Sequence, residues 1–179
     1  MNLPLFDAWR VRSLDSGDVN SIAQYADNFN VWINLRDLFP HPYSTQDAKN
    51  WLKVVRQQDP EQTWGIASAS EVIGGIGIHV QQDVHRYSAE LGYWLGEPFW
   101  GKGIATAAVN AVVRHVFTKF DVTRIFAGVF AYNAASARVL EKAGFTREGV
   151  MRQAVVKNGK TVDQFLYAIL RDEWRANKR

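Results

Sequence analysis

One stretch limits the folds open to this chain more than any other. The run from Tyr87 to Leu95 alternates, with Tyr87, Ala89, Leu91, Tyr93 and Leu95 on one side and Ser88, Glu90, Gly92 and Trp94 on the other. That period of two is the mark of a strand. A turn follows, Trp100-Gly101-Lys102-Gly103-Ile104-Ala105-Thr106. Next comes a predicted helix from about Lys102 to Phe117, with Ile104, Ala108, Ala111, Val112, His115 and Val116 expected on its buried side. Arg124 to Phe130 reads as the next strand. Strand, glycine turn, helix and strand in this order imply a right-handed parallel crossover within a mixed sheet.

The rest of the chain supplies layers for that sheet. Trp9 to Leu14 is predicted as a first strand, and Asp15 to Phe29 as a helix, because Val19, Ile22, Ala23 and Ala26 recur at helical spacing. Asn30 to Tyr43, which contains Phe39-Pro40-His41-Pro42-Tyr43, resists a regular helix and is expected as an exposed, shaped loop. Ser44-Thr45-Gln46-Asp47 has the form of a helix start, with Ala48, Trp51, Leu52 and Val55 as the apolar face behind it. Trp64 to Ala67 and Val72 to Val80 read as strands. Asn133 to Ala143 reads as a helix ended by Gly144, with further strands at Phe145 to Gly149 and Thr161 to Leu170.

Composition excludes several function classes. The 179 residues are 47% apolar and 22% charged, enough for one core, and no linker-like tract divides them, so a single domain over residues 1–179 is expected. There is no cysteine, hence no disulfide, thiolate nucleophile or Cys-ligated zinc. His41, His79, His85 and His115 form no metal-spaced pair, and no metal is expected. The opening residues lack the features of a signal peptide, and no apolar run approaches the roughly 18 residues of a membrane span. A cytoplasmic protein without a membrane partner is the expectation. The net charge of +3, with Arg171, Arg175, Lys178 and Arg179 near the C-terminus, reads as a solvated tail and carries no nucleic-acid signature.

On the residues alone, the glycine turn has two open readings. It is either an anion site, where the free N–H groups of a first helical turn meet a phosphate, or a tight turn that needs glycines. A P-loop is excluded because Gly101-Lys102-Gly103 is not followed by the required Ser or Thr, and a dinucleotide motif because position 106 is Thr.

Four segments in sequence order resemble the GNAT acyltransferases, over nearly the whole chain. Trp100 to Thr106 looks like the family's pyrophosphate motif, with Gly103 and Ala105 matching and Trp100 in place of the usual Gln or Arg. Asn133-Ala134-Ala135-Ser136 leading to Val139-Leu140-Glu141-Lys142-Ala143-Gly144-Phe145 is similar to the second cofactor motif. Glu90 to Leu95 looks like the central strand, and Leu35-Arg36-Asp37 with Phe39 to Tyr43 resembles the substrate-side loop of the branch of RimJ/RimL type, the ribosomal-protein N-terminal acetyltransferases.

The resemblance implies an α/β (α+β) GNAT fold, with a mixed sheet of about seven strands, a splayed central pair and about four helices. It implies acetyl-CoA as co-substrate. Backbone at Tyr93, Trp94 and Leu95 would hold the pantetheine arm. Trp100, Gly101, Lys102, Gly103, Ile104, Ala105 and Thr106 would hold the pyrophosphate, and Asn133 and Ser136 would line the thioester end. Arg36, Phe39, His41 and Tyr43 would face the amine substrate.

Amine acylation needs a neutral nucleophile, and Glu90, on the less apolar face of the central strand, is the candidate base. Its other reading is a strand carboxylate paired with Arg86 or Arg124. Many family members place a Tyr acid seven residues after the motif Asn, but position 140 is Leu here, which leaves Ser136 or a water to protonate the thiolate. Ser136 has a competing reading as a helix-face hydroxyl bonded to an upstream carbonyl. The expected activity is transfer of an acetyl or other acyl group from CoA to a primary amine by direct attack in a ternary complex. The acceptor is a small molecule or a protein N-terminus, and the enzyme is a monomer or homodimer. The alternatives are a non-catalytic acyl-CoA binding module and, against the evidence of Thr106 and Asp121, a nicotinamide-binding domain.

Overall fold

The computed structural model describes residues 1–176, so Lys178 and Arg179 of the expected basic tail lie outside the described residues. The chain divides into two compact units, Met1–Gly77 with Tyr93–Ala111, and Ile78–Gly92 with the residues from Val112 on.

In the first unit, β1 (Asn2–Pro4), β2 (Arg10–Arg12), β3 (Thr63–Ala67) and the start of β4 (Val72–Val80) form an antiparallel meander. Asp15 accepts from the Gly17 N–H and opens a helical turn leading into α1 (Val19–Ala26). The helix stops there because Asp27 leaves helical geometry and Asn28 is extended, its Oδ1 capping a new short helix, α2 (Phe29–Trp32). The helix predicted through Phe29 is therefore two helices, and the expected loop begins with the second. Ser44 and Asp47 form a reciprocal capping box on α3 (Thr45–Val55). Leu14, Ile22, Ala26, Ala48, Leu52, Val55 and Val72 make this unit's core, with Val19, Phe39, Trp51 and Trp94 packed against it.

β5 (Ser88–Leu95) belongs to the second unit as far as Gly92, and there it runs parallel to β6 (Arg124–Phe130), in register from Ser88 opposite Arg124 to Glu90 opposite Phe126. This is the predicted parallel pair. β8 (Lys160–Leu170) pairs antiparallel with β6, and β7 (Thr146–Lys157) pairs antiparallel with β8. β7 is much longer than the predicted Phe145 to Gly149 because Asn158 and Gly159, both at positive φ (49° and 72°), close a two-residue hairpin that puts Lys157 opposite Lys160. Helix α5 (Ala134–Lys142) lies between β6 and β7 in the chain, and α6 (Arg171–Ala176) follows β8.

The strands make one eight-stranded mixed sheet in the order β1-β2-β3-β4-β5-β6-β8-β7, with six α-helices among the described residues. The expectation of about seven strands and four helices missed β1, α2 and α6, each too short to show a period. Along α4 (Ile104–Lys119), Val109 and Val113 are buried with Ile104, Ala108, Val112 and Val116, whereas Ala111 and His115 are only half-buried. His115 is thus not a core residue; its ring meets Phe120 edge-on at 6.2 Å. No helix among the described residues is long and apolar enough to cross a membrane, and they hold no cluster of three or more His, Cys, Asp or Glu fit for a metal.

Candidate active site

Within the first unit, the segment from Gly96 to Thr106 carries the predicted anion turn. Glu97–Phe99 forms a single helical turn, and the Phe99 ring is held edge-on by Tyr25 at 5.1 Å and Trp9 at 5.7 Å. The Trp100 indole N–H donates to the Leu95 carbonyl at 2.7 Å, so this residue ties the turn back to the end of β5. Gly101 and Gly103 then take φ of +75° and +78°, a region that costs an L-residue roughly 1–2 kcal/mol. A Cβ at either position would meet nothing within 4 Å. The space in front of both backbones is open. The first bond of α4 runs from the Ala107 N–H to the Gly103 carbonyl at 3.0 Å, and the preceding N–H groups are the ones helix geometry leaves without an intrahelical partner. Gly101, Lys102 and Gly103 are exposed, Ala105 and Thr106 half-buried, and Ile104 is buried and offers only its backbone. The Lys102 ammonium lies 5.5 Å from the Phe99 ring centroid.

The residues expected to meet substrate fall in the same unit, at different depths. Tyr43 is buried in the core, where burial pushes its phenol up to about 12, and its backbone N–H donates to Asp27 at 2.9 Å. Phe39 packs on Tyr43 at 4.8 Å and on Trp94 at 5.7 Å. Arg36 and His41 are exposed. The His41 ring stacks on Trp32 at 5.4 Å, meets Phe29 at 6.0 Å, and holds Nδ1 3.7 Å from Asp27. Phe29, Trp32 and Asp27 escaped the sequence reading; the Asn28 cap before an aromatic pair was the available signal. Tyr93 is half-buried, Leu95 is buried, and the Trp94 indole fills the space in front of Gly75, where an added Cβ would lie 2.6 Å from its Nε1.

In the second unit Glu90 is half-buried on β5, opposite Phe126 in register. The two arginines considered as its partners make other contacts. Arg124 forms a two-pronged pair with Glu148, with one arm at 2.6 Å, and this holds the Glu148 carboxyl below the ordinary carboxylate range. Arg86 donates to the Asp83 carbonyl at 3.0 Å and lies over the Tyr87 ring. Asn133 caps α5, its Oδ1 accepting from the Ser136 N–H at 3.0 Å, so the motif's Asn and Ser are joined by the cap itself. Leu140, seven residues after Asn133, is fully buried and belongs to the core. The Tyr167 hydroxyl donates to Glu141 at 2.9 Å and fastens α5 to β8.

An acetyltransferase (GNAT) domain model matches residues 9–146. The chain belongs to the GNAT acetyltransferase family. It is 40% identical over 110 residues to an uncharacterized N-acetyltransferase, YoaA, of Bacillus subtilis. That stretch takes in 60% of this chain and 62% of YoaA, so the likeness spans about three fifths of the relative's length. It is also 27% identical over 116 residues to the [ribosomal protein uS5]-alanine N-acetyltransferase of Escherichia coli, covering 65% of this chain and 55% of that protein. In fold it is similar to Mycobacterium smegmatis RimJ in complex with CoA-disulfide, with a TM-score of 0.83 and 23% identity over 100% of this chain and 94% of that one. The resemblance to RimJ/RimL-type enzymes read from the four motifs is thereby borne out.

Proposed function

We propose that this protein is an N-acetyltransferase that moves an acetyl group from acetyl-CoA to a primary amine, with the peptide N-terminus of a protein as the acceptor class. The observation that carries it is the turn at the start of α4, where two positive-φ glycines with open space before them precede a 16-residue helix, whose first N–H groups have no intrahelical partner by helix geometry. That arrangement suits a pyrophosphate, because backbone donors and the helix dipole both favour an anion there. Relatives named N-acetyltransferases favour an enzyme over a binding module. The family match from residue 9 to 146 crosses both compact units, which supports one acyltransferase domain over residues 1–179.

Acetyl-CoA supplies an activated thioester. Gly101 to Thr106, with Trp100 bracing them, hold its pyrophosphate, and the backbone of Tyr93, Trp94 and Leu95 holds its pantetheine arm. Glu90 takes the proton of the substrate ammonium on a carboxylate oxygen, directly or through one water. The freed nitrogen lone pair then forms the amide bond as the carbon–sulfur bond breaks. The Ser136 hydroxyl, or a water, delivers a proton to the departing sulfur and is reprotonated by the second proton that the nitrogen sheds on becoming an amide, and Asn133 orients Ser136 through the cap. On the acceptor side His41 and Arg36 present polar groups, while Tyr43 buttresses Phe39 from the core. The peptide N-terminus is favoured by the name of the Escherichia coli relative, whose ribosomal-protein substrate also makes the cytoplasm the fitting compartment. A panel of acetyl-CoA and succinyl-CoA against alanine-starting peptides and polyamines, read by thiol release, tests the proposal. Turnover is expected with acetyl-CoA and a peptide; release with none of the pairs contradicts it.

A further inference from the structure

We propose that Glu97 is a positioning residue that couples the donor turn to helix α2; this rests on the reading that Gly101 to Thr106 bind acetyl-CoA. The Glu97 carboxylate accepts two hydrogen bonds from far along the chain, from Asn28 Nδ2 at 2.7 Å and Asn30 Nδ2 at 2.9 Å. Asn28 is used at both ends, since its Oδ1 accepts from the Val31 N–H at 3.1 Å and caps α2. That cap fixes the amide's orientation, because only its oxygen can face a backbone N–H. Asn30 sits within α2 itself. The carboxylate therefore grips the cap and the first turn of the helix that carries Phe29 and Trp32 against His41.

At its other end Glu97 is part of the donor segment. Its backbone carbonyl accepts from the Trp100 N–H at 3.1 Å, and Gly101 follows at once. Displacing Glu97 therefore displaces the residues that lead into the turn. The chemistry explains the residue type. The two amide NH₂ groups meet different oxygens of one side chain, and only a carboxylate presents an acceptor oxygen at both places. Filling the donor turn narrows the freedom of Glu97 and, through it, of α2, so that the aromatic acceptor face is ordered when donor is bound.

Exchanging the partners separates this role from a merely structural one. Glu97→Gln leaves one acceptor oxygen and turns an NH₂ group toward another. Adding Asn30→Asp restores both bonds, since the new amide then donates to the new carboxylate at position 30 while its oxygen still accepts from Asn28. We would measure acetyl-CoA affinity by calorimetry and amide hydrogen exchange of Val31 to Ile33 with and without acetyl-CoA. In the unaltered protein acetyl-CoA should slow that exchange about fivefold or more; Glu97→Gln should abolish the slowing and weaken affinity about fivefold, and the double variant should restore both. Asn30→Ala, which keeps the carboxylate and the Asn28 bond, is the second variant should Glu97→Gln fold poorly, and it should reduce the slowing without abolishing it. Unchanged slowing in every variant, or a double variant no better than the single one, overturns the coupling. Acetyl-CoA binding by the unaltered protein without slower exchange in α2 also overturns it and leaves the donor turn standing. Failure to bind acetyl-CoA at all brings down both.

Discussion

Glu90 and Gly103 are assigned separate tasks, proton removal and donor binding, and single substitutions distinguish them. Glu90→Gln should leave acetyl-CoA affinity nearly unchanged while lowering turnover by roughly 10²–10⁴-fold, the usual worth of a general base. Raising the pH should restore part of the rate, since more of the substrate amine is then already neutral. Asp163 is the other carboxylate to check, and its Oδ1 is committed to the Gln153 N–H at 2.7 Å. A Glu90→Gln enzyme with normal turnover at pH 7 removes Glu90 from the mechanism; one that loses acetyl-CoA binding makes it structural. Tyr43 gives a test at alkaline pH. Its phenol is raised in the folded chain from an ordinary 10.0 to about 12 by burial, then by Asp47. The stability this contributes is complete below pH 10 and is lost as pH rises toward 12. Denaturant melts of Tyr43→Phe should show a flatter decline than the unaltered protein across that window.

Among the elements, the capped helices were legible and the short or closed ones were not. Ser44 and Asp47 announce α3 because the cap is written in local chemistry, and Ser44→Ala should cost about 0.5–2 kcal/mol by equilibrium unfolding. The β5–α4–β6 crossover was readable for the same reason: alternation, a glycine turn and an apolar helical stripe sit next to one another. By contrast β1 and α2 have three and four residues, too few to display any period. The length of β7 was set by Asn158-Gly159, a hairpin signal written in the sequence and passed over because Arg147 to Gln153 are exposed or half-buried and show no apolar alternation. In the candidate site, the glycine turn and the Asn133 cap were visible as local motifs. The Asp27–His41 and Glu97–Asn28 contacts join residues far apart in sequence, and no local pattern announces them. The Arg124–Glu148 pair links β6 to β7 and predicts an acid limb in stability. Because Glu148 is held below its ordinary range, its contribution is present above the unfolded carboxylate pKa and disappears as pH falls through the folded one. Melts from pH 6 down to pH 2 should show Glu148→Gln losing less than the unaltered protein.

For the whole molecule, the account stands on acetyl-CoA being held at the start of α4. A ligand bound only by the native state adds about 2.7 kcal/mol at a hundredfold excess over its dissociation constant. For a chain of this length that corresponds to a rise of about 5–11 °C in Tm. Gly103→Val tests the location as well as the fact of binding, because φ at this position is +78° and a β-branched residue there strains the turn while meeting no neighbour that would unfold the core. Thermal melts of the two proteins with and without acetyl-CoA are therefore the most direct measurement. The account predicts a rise of several degrees for the unaltered protein and none for a folded Gly103→Val variant. No rise in the unaltered protein, or an equal rise in both, contradicts it.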